Sequence, residues 1–441
     1  MICPNCKASD HELGAKYCHK CGTPLSTNEL LYHEPAKPGV QANGKSSEGT
    51  RHPKPSDNRH QCVAPVVQNN FWHLIDNVGN IIKRLPYEYR DGSYSRYGIN
   101  SFQEGLAKVI DRNLIGYIDK EGKEVIPIVY ERGSDHFSEG LVAVKNNEGW
   151  GFMDTHGKEV IPFLFNSASD FSEGLAAVER NGFWGYIDHS GKIAIPFIFE
   201  SADSFSEGLA AVEFNEGKGY INKEGRMAIP NPKKGLGIGG FIGKTLQAIA
   251  NKPILRYTNG EMVSRLPYRK AMAFSEGFAA VVPNENRLDK YIFIDKNGDK
   301  VQFDHIENEF GATGQFSSGL CAVALFNDKR TSDFMRDDNG YIDKKGRLVH
   351  DFTLENAWPI KEGLAFISYK EGDQRYYAYI NNHGNIAMRI NNEDYSVYGN
   401  FRHGLKSIGK RAERGWKYGY IDTSNNLVIP CQFEYAVEFG E

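Results

Sequence analysis

Four cysteines near the start of the chain have the spacing of a metal site. CPNC (3–6) and CHKC (18–21) set Cys3, Cys6, Cys18 and Cys21 in the pattern C-x2-C-x11-C-x2-C. A two-residue gap lets both sulfurs of a pair face one ion from a tight knuckle, and two knuckles complete a tetrahedron of thiolates around Zn²⁺. About 25 residues bury too little surface to fold alone, so the ion itself would supply the folding free energy. An iron site, a pair of redox CxxC motifs and a disulfide framework are rival readings of the same letters. Four thiolates leave no open coordination position, which argues for a structural zinc rather than a catalytic one. His11 and His19 then read as loop residues.

The other reactive letters are weaker candidates. FSEGLAAVE occurs at 171–179 and again at 205–213, placing Glu173 and Glu207 before a glycine. A catalytic carboxylate needs one environment that shifts its pKa, whereas a copied motif offers many similar ones. DKNGD (295–299) invites a calcium reading, but calcium takes six or more oxygens and each such tip supplies one or two. GLGIGG (235–240) precedes Gly243-Lys244-Thr245 without the spacing or the strand–glycine–helix setting of a phosphate loop. Cys62, Cys321 and Cys431 have no histidine at a meaningful distance in sequence. The expectation is a protein without catalytic residues, with zinc as its one cofactor.

The elements that carry these letters are strands. From about Val63 onward one pattern is rewritten, most plainly as FSEGLAAVERNGFWGYIDHSGKIAIPFIFESAD (171–203). LAAV reads as a short strand and WGYID as a second. KIAIPFIF reads as a third, with Ile193, Ile195, Phe197 and Phe199 alternating onto one face. Asp first and Gly fourth in DKEG, DTHG and DHSG mark hairpin tips, where Asp accepts from the backbone two residues on. Pro127, Pro162, Pro196 and Pro230 predict a bulge or an unpaired edge in each third strand. Counting degenerate copies at 63–87 and 241–267, the pattern predicts ten three-stranded units.

Two resemblances follow from these motifs. CPNCKA, AKYCHKCG and TPL resemble the short zinc-ribbon family, with Lys7 standing where that family has glycine. The copies resemble the WG repeat family, on Trp150-Gly151 and Trp184-Gly185, with Lys218-Gly219, Asn339-Gly340 and Tyr418-Gly419 as worn versions. That resemblance implies a bacterial β-repeat that serves as an interaction surface.

The domain plan is a ribbon at 1–25, a flexible polar linker at 26–61 and the array at 62–441, with an insert or degenerate unit at about 231–267. Net charge is −4 over 441 residues, so a nucleic-acid partner is not expected. The polar start and the absence of an uninterrupted 20-residue apolar run point to a cytoplasmic protein with no membrane insertion. The expected fold is all-β, an open curved superhelix of antiparallel units, with propeller-like closure as the alternative. The expected function is a non-catalytic scaffold for protein partners. Carbohydrate or cell-envelope binding and a nucleotide-dependent activity at 235–250 are the alternatives.

Overall fold

The computed structural model describes residues 62–89, 98–214, 217–229, 268–284, 290–307, 309–325, 339–390, 395–397, 399–413 and 415–440. The ribbon cysteines, the linker, the 231–253 insert and the 328–338 loop lie outside them. Among the described residues the fold is all-β, with no helix. The expected β-repeat array is present.

Residues 167–199 show how one unit is built. Its strands are Ser167–Ala168, Leu175–Arg180, Phe183–Asp188 and Ile193–Phe199, hydrogen-bonded in that order and antiparallel. LAAV lies opposite WGYID, with Ala177 facing Tyr186 and Val178 facing Gly185. All four LAAV residues are buried, because both faces of each sheet pack on neighbouring units. Small side chains at these positions let the sheets approach.

The outer strand bulges where its proline predicts. Trp184 faces Phe199 and Tyr186 faces Ile195, so two residues on one strand span four on the other. The bulged backbone presses on Gly185, where an added Cβ would lie 2.7 Å from the Ile195 carbonyl oxygen. Gly151 and Gly419 meet the same obstruction at 2.8 and 2.3 Å. Glycine after the tryptophan is therefore a packing requirement imposed by the proline strand. The bulge also ends the expected alternation: Ile195 and Phe199 are buried, but Ile193 is 49% exposed.

Three expectations about the array are corrected. Most units have four strands, because a two-residue strand such as Ser167–Ala168 or Ser201–Ala202 leads the sheet. These lie in NSAS and ESAD, polar stretches that read as loop.

Nine units are described, and the one expected at 241–267, which lies outside the described residues, has no place between the units at Phe205 and Phe274. Ser206 Oγ donates to the Phe274 carbonyl at 2.6 Å, as Ser172 does to Phe205 at 2.7 Å. Tyr220 Oη donates to Met272 O, as Tyr186 does to Asp203 O. The units at Phe205 and Phe274 are thus immediate neighbours. Lys218 faces Tyr268 as Trp184 faces Phe199. Ile229 and Tyr268 thus hold the outer-strand places of Ile195 and Phe199, which are separated by only Pro196, Phe197 and Ile198 in the unit before.

The ends of the array meet, which is the propeller-like alternative rather than the open superhelix. Tyr435–Ala436 pairs with Val67 and Val66, supplying the leading strand of the first sheet. Gly79 packs on Ile429 as Gly191 packs on Ile161 and Gly225 on Ile195. Tyr420 Oη reaches Val437 O at 2.6 Å, repeating the tyrosine bond made between consecutive units. The closing strand is only two residues long, so it too was invisible in the sequence pattern.

Candidate functional site

The repeated carboxylates are spent on joining units. Glu173 (φ +54) and Gly174 (φ +89) are the central pair of a two-residue turn closed by reciprocal Ser172–Leu175 hydrogen bonds. Positive φ at both positions is type I′ geometry, strained for glutamate. The strain is offset because the Glu173 carboxylate accepts the Gly208 amide of the next unit at 3.0 Å and meets Lys223 at 3.1 Å. Glu139 accepts from Gly174, Glu207 from Gly277, Glu276 from Gly319 and Glu362 from Gly404. Lys296 adds a pair to Glu207 and Lys344 to Glu276. Burial pushes the Glu207 carboxyl up, but the Lys296 and Gly277 hydrogen bonds outweigh it and leave the group below its ordinary value. The sequence pattern shows these glutamates only as residues standing before a glycine. Their partners lie 35 to 70 residues away, beyond the reach of local pattern. Ser318 replaces the glutamate in one unit, and there the outer strand Leu348–Ala357 runs unbroken into the next sheet.

The repeated tyrosines are also committed. Tyr117, Tyr186, Tyr341 and Tyr379 are fully buried and each donates to a backbone carbonyl of the following unit. Burial pushes their hydroxyls well above the ordinary tyrosine value. Tyr117, Tyr186 and Tyr379 pack edge-on or tilted against a turn phenylalanine, as Tyr186 does with Phe205 at 4.9 Å, while Ile360 stands at that position after Tyr341.

The aspartates at the second hairpin tips make the expected turns. Asp188 accepts from the Ser190 and Lys192 amides at 2.9 and 3.1 Å. Asp295, in DKNGD, spends one oxygen on the Asn297 and Asp299 amides and offers the other to the Asn297 side chain. Among the described residues no group of three or more histidine, cysteine or acidic side chains could hold a metal. Cys321 is fully buried, and burial pushes its thiol up to about 12. Cys62 and Cys431 are half-buried thiols without a disulfide.

Several aliphatic side chains are left on the outside of the units. Val129 and Leu164 hold the same register position on the outermost strands of two adjacent units and are 61% and 57% exposed. Ile198 continues the row half-buried in the next unit. Each of these strands ends its sheet, so one edge of its backbone pairs with no further strand.

Comparison with known proteins bears on the fold. No protein of curated function matches the chain in sequence. The crystal structure of the eukaryotic initiation factor superposes with a TM-score of 0.52 at 9% identity, covering 86% of this chain and 97% of that one. Dihydro-heme d1 dehydrogenase NirN gives 0.40 at 13% identity over 78% and 75% of the two chains. AztD from Citrobacter koseri gives 0.37 at 10% over 86% and 96%. The first of these supports the all-β repeat architecture and nothing about activity. The family model described as WG containing repeat matches residues 115–150, 150–182, 184–218, 340–372 and 418–441, so the chain carries WG-containing repeats at several positions.

Proposed function

We propose that the array is a non-catalytic scaffold for protein partners, carrying a tethered structural zinc ribbon held by Cys3, Cys6, Cys18 and Cys21. The observation behind this reading is the row Val129, Leu164 and Ile198 on outermost strands of adjacent units. Exposed aliphatic side chains beside an unpaired strand edge suit a partner that adds both apolar contact and backbone hydrogen bonds. The repeated carboxylates and tyrosines already serve the joints between units, which fits a surface whose use is shape rather than reaction.

The carbohydrate reading needs repeated aromatic faces open to solvent. The repeated tyrosines are buried and Trp150 and Trp184 are half-covered, which weighs against it. The nucleotide reading falls at 235–250, outside the described residues. No described helix is long and apolar enough to cross a membrane.

The test is affinity capture from native lysate with the full chain and with a Val129→Glu, Leu164→Glu double variant of equal melting temperature. The scaffold reading expects a protein enriched on the first bait and lost from the second. No enrichment, or enrichment indifferent to both substitutions, rejects it. Native mass spectrometry should find one zinc per chain, lost on Cys18→Ser.

A further inference from the structure

The geometry points to a binding site for a small organic oxyanion, a carboxylate or phosphate ester with an apolar body, in the cavity where the array closes. The inference starts from one position, the residue after the turn phenylalanine. Ser138, Ser172, Ser206, Ser275 and Ser317 occupy it in five units, and each donates to the next unit's backbone at 2.6–2.7 Å. Gln103 and Lys361 replace the serine in two further units, and at the closure the position changes again. Arg402 holds the position in the last unit and Gly440 holds it in the C-terminal segment that completes the first. Gly440 lies so close to the next unit that an added Cβ would meet Phe102 O at 1.9 Å. With no side chain at 440, Arg402 crosses that unit and donates from Nη1 to Ser101 Oγ at 3.1 Å, 301 positions away in sequence.

Arg402 lines a cavity of about 450 Å³, a size suited to a small ligand. Among the described residues no carboxylate lies within ion-pair distance of its guanidinium, and its hydrogen bond runs to Ser101 Oγ. The one acid in the wall, Asp135, is taken by Lys108 at 3.1 Å and by Asn100 at 3.3 Å. A partly covered guanidinium bonded only to a neutral hydroxyl retains most of its donors for a planar oxyanion. Asn100, Gln103 and His136 add polar groups to the same wall. The opposite character comes from Trp72, Ile99, Tyr435 and Val437, which would cover an apolar body. These residues belong to the first two units and the closing segment, so a bound ligand would bridge the closure.

Binding is read by calorimetry on the full chain with phenylacetate, phenyl phosphate and inorganic phosphate as probes. Either aromatic anion should bind and raise the melting temperature, and the stronger of the two identifies the headgroup. Arg402→Gln should weaken that binding at least tenfold, by loss of the charged hydrogen bonds. Lys361→Gln, at the same repeat position but outside the cavity, should leave it unchanged. Absence of binding by both aromatic anions overturns the site. So does inorganic phosphate binding as tightly as phenyl phosphate, or affinity that survives Arg402→Gln in a variant melting like the parent.

Discussion

The carboxylate of Glu173 caps the amide of Gly208, the glycine that stands in the same turn one unit later. The turns of Glu139, Glu173, Glu207 and Glu276 thus both receive a clasp and give one. Replacing Glu173 by Ala should cost about 1–2 kcal/mol, since a half-buried amide loses a charged acceptor. Asn at the same position tolerates positive φ and should recover part of the loss. Urea titration of the three proteins checks the order Glu, Asn, Ala. Equal midpoints would mean the clasp contributes nothing.

Glycines of the two repeated types should respond differently. Gly174 has open space around it, so Gly174→Ala meets only the φ penalty, about 1 kcal/mol. Gly185 lies against the bulged backbone of Ile195 to Phe197, so Gly185→Ala must move a strand and should cost about 3 kcal/mol. Thermal melts of the pair would reveal whether the second exceeds the first.

Acid should weaken one joint in a defined range. The Arg375 side chain, hydrogen-bonded to Glu355 and reinforced by Lys370 at 2.7 Å, holds that carboxyl at about 2, against an ordinary 4.5. A lowered folded-state value means the stabilisation is complete above pH 4.5 and disappears as pH falls toward 2. With Arg375 and Lys370 half exposed, the contribution is about 2 kcal/mol. Glu355→Gln should lower stability at pH 7 and flatten its decline between pH 4.5 and 2. A parallel decline in both proteins would refute the assignment.

Lys406, buried in the last unit, pairs with Glu438 of the closing segment, and Ser407 Oγ adds a bond at 3.0 Å. Removing Glu438 alone strands a buried ammonium group. Glu438→Ala should therefore destabilise by about 3–5 kcal/mol and sensitise the closure to proteolysis. Limited digestion followed by mass mapping tests this, with first cuts expected in residues 62–68 and 434–440.

Excision of residues 230–267, with Pro-Phe-Ile in their place, should give a normally folded array. Ile229 and Tyr268 occupy the places of Ile195 and Phe199, which are joined by three residues. Circular dichroism and melting close to the parent are expected. An unfolded product would mean the excursion supports the ring.

The strand pattern was readable because each unit's own neighbours in sequence make it: LAAV faces WGYID across a short hairpin, and Asp188 caps its own turn. The joints were not readable. Tyr186 and Ser172 reach carbonyls 17 and 33 positions on, and no local periodicity records such a partner. Ser201–Ala202 is too short for alternation to register, and that one omission concealed both the fourth strand and the closure. The repeated letters also misled at Phe241–Pro267, where a spacing of two periods was filled with a unit that the Ser206–Phe274 bond leaves no place for.

The pairing of the array's first and last strands sets a timetable for synthesis. Asn70 bonds Glu434 across 364 positions, so the first sheet made by the ribosome is the last to be finished. Until the C-terminal residues emerge, Ala64–Gln68 presents a bare edge in a growing chain. Stalling or premature termination before residue 434 would yield a product with most of its units made, yet with its earliest strands exposed to other nascent chains.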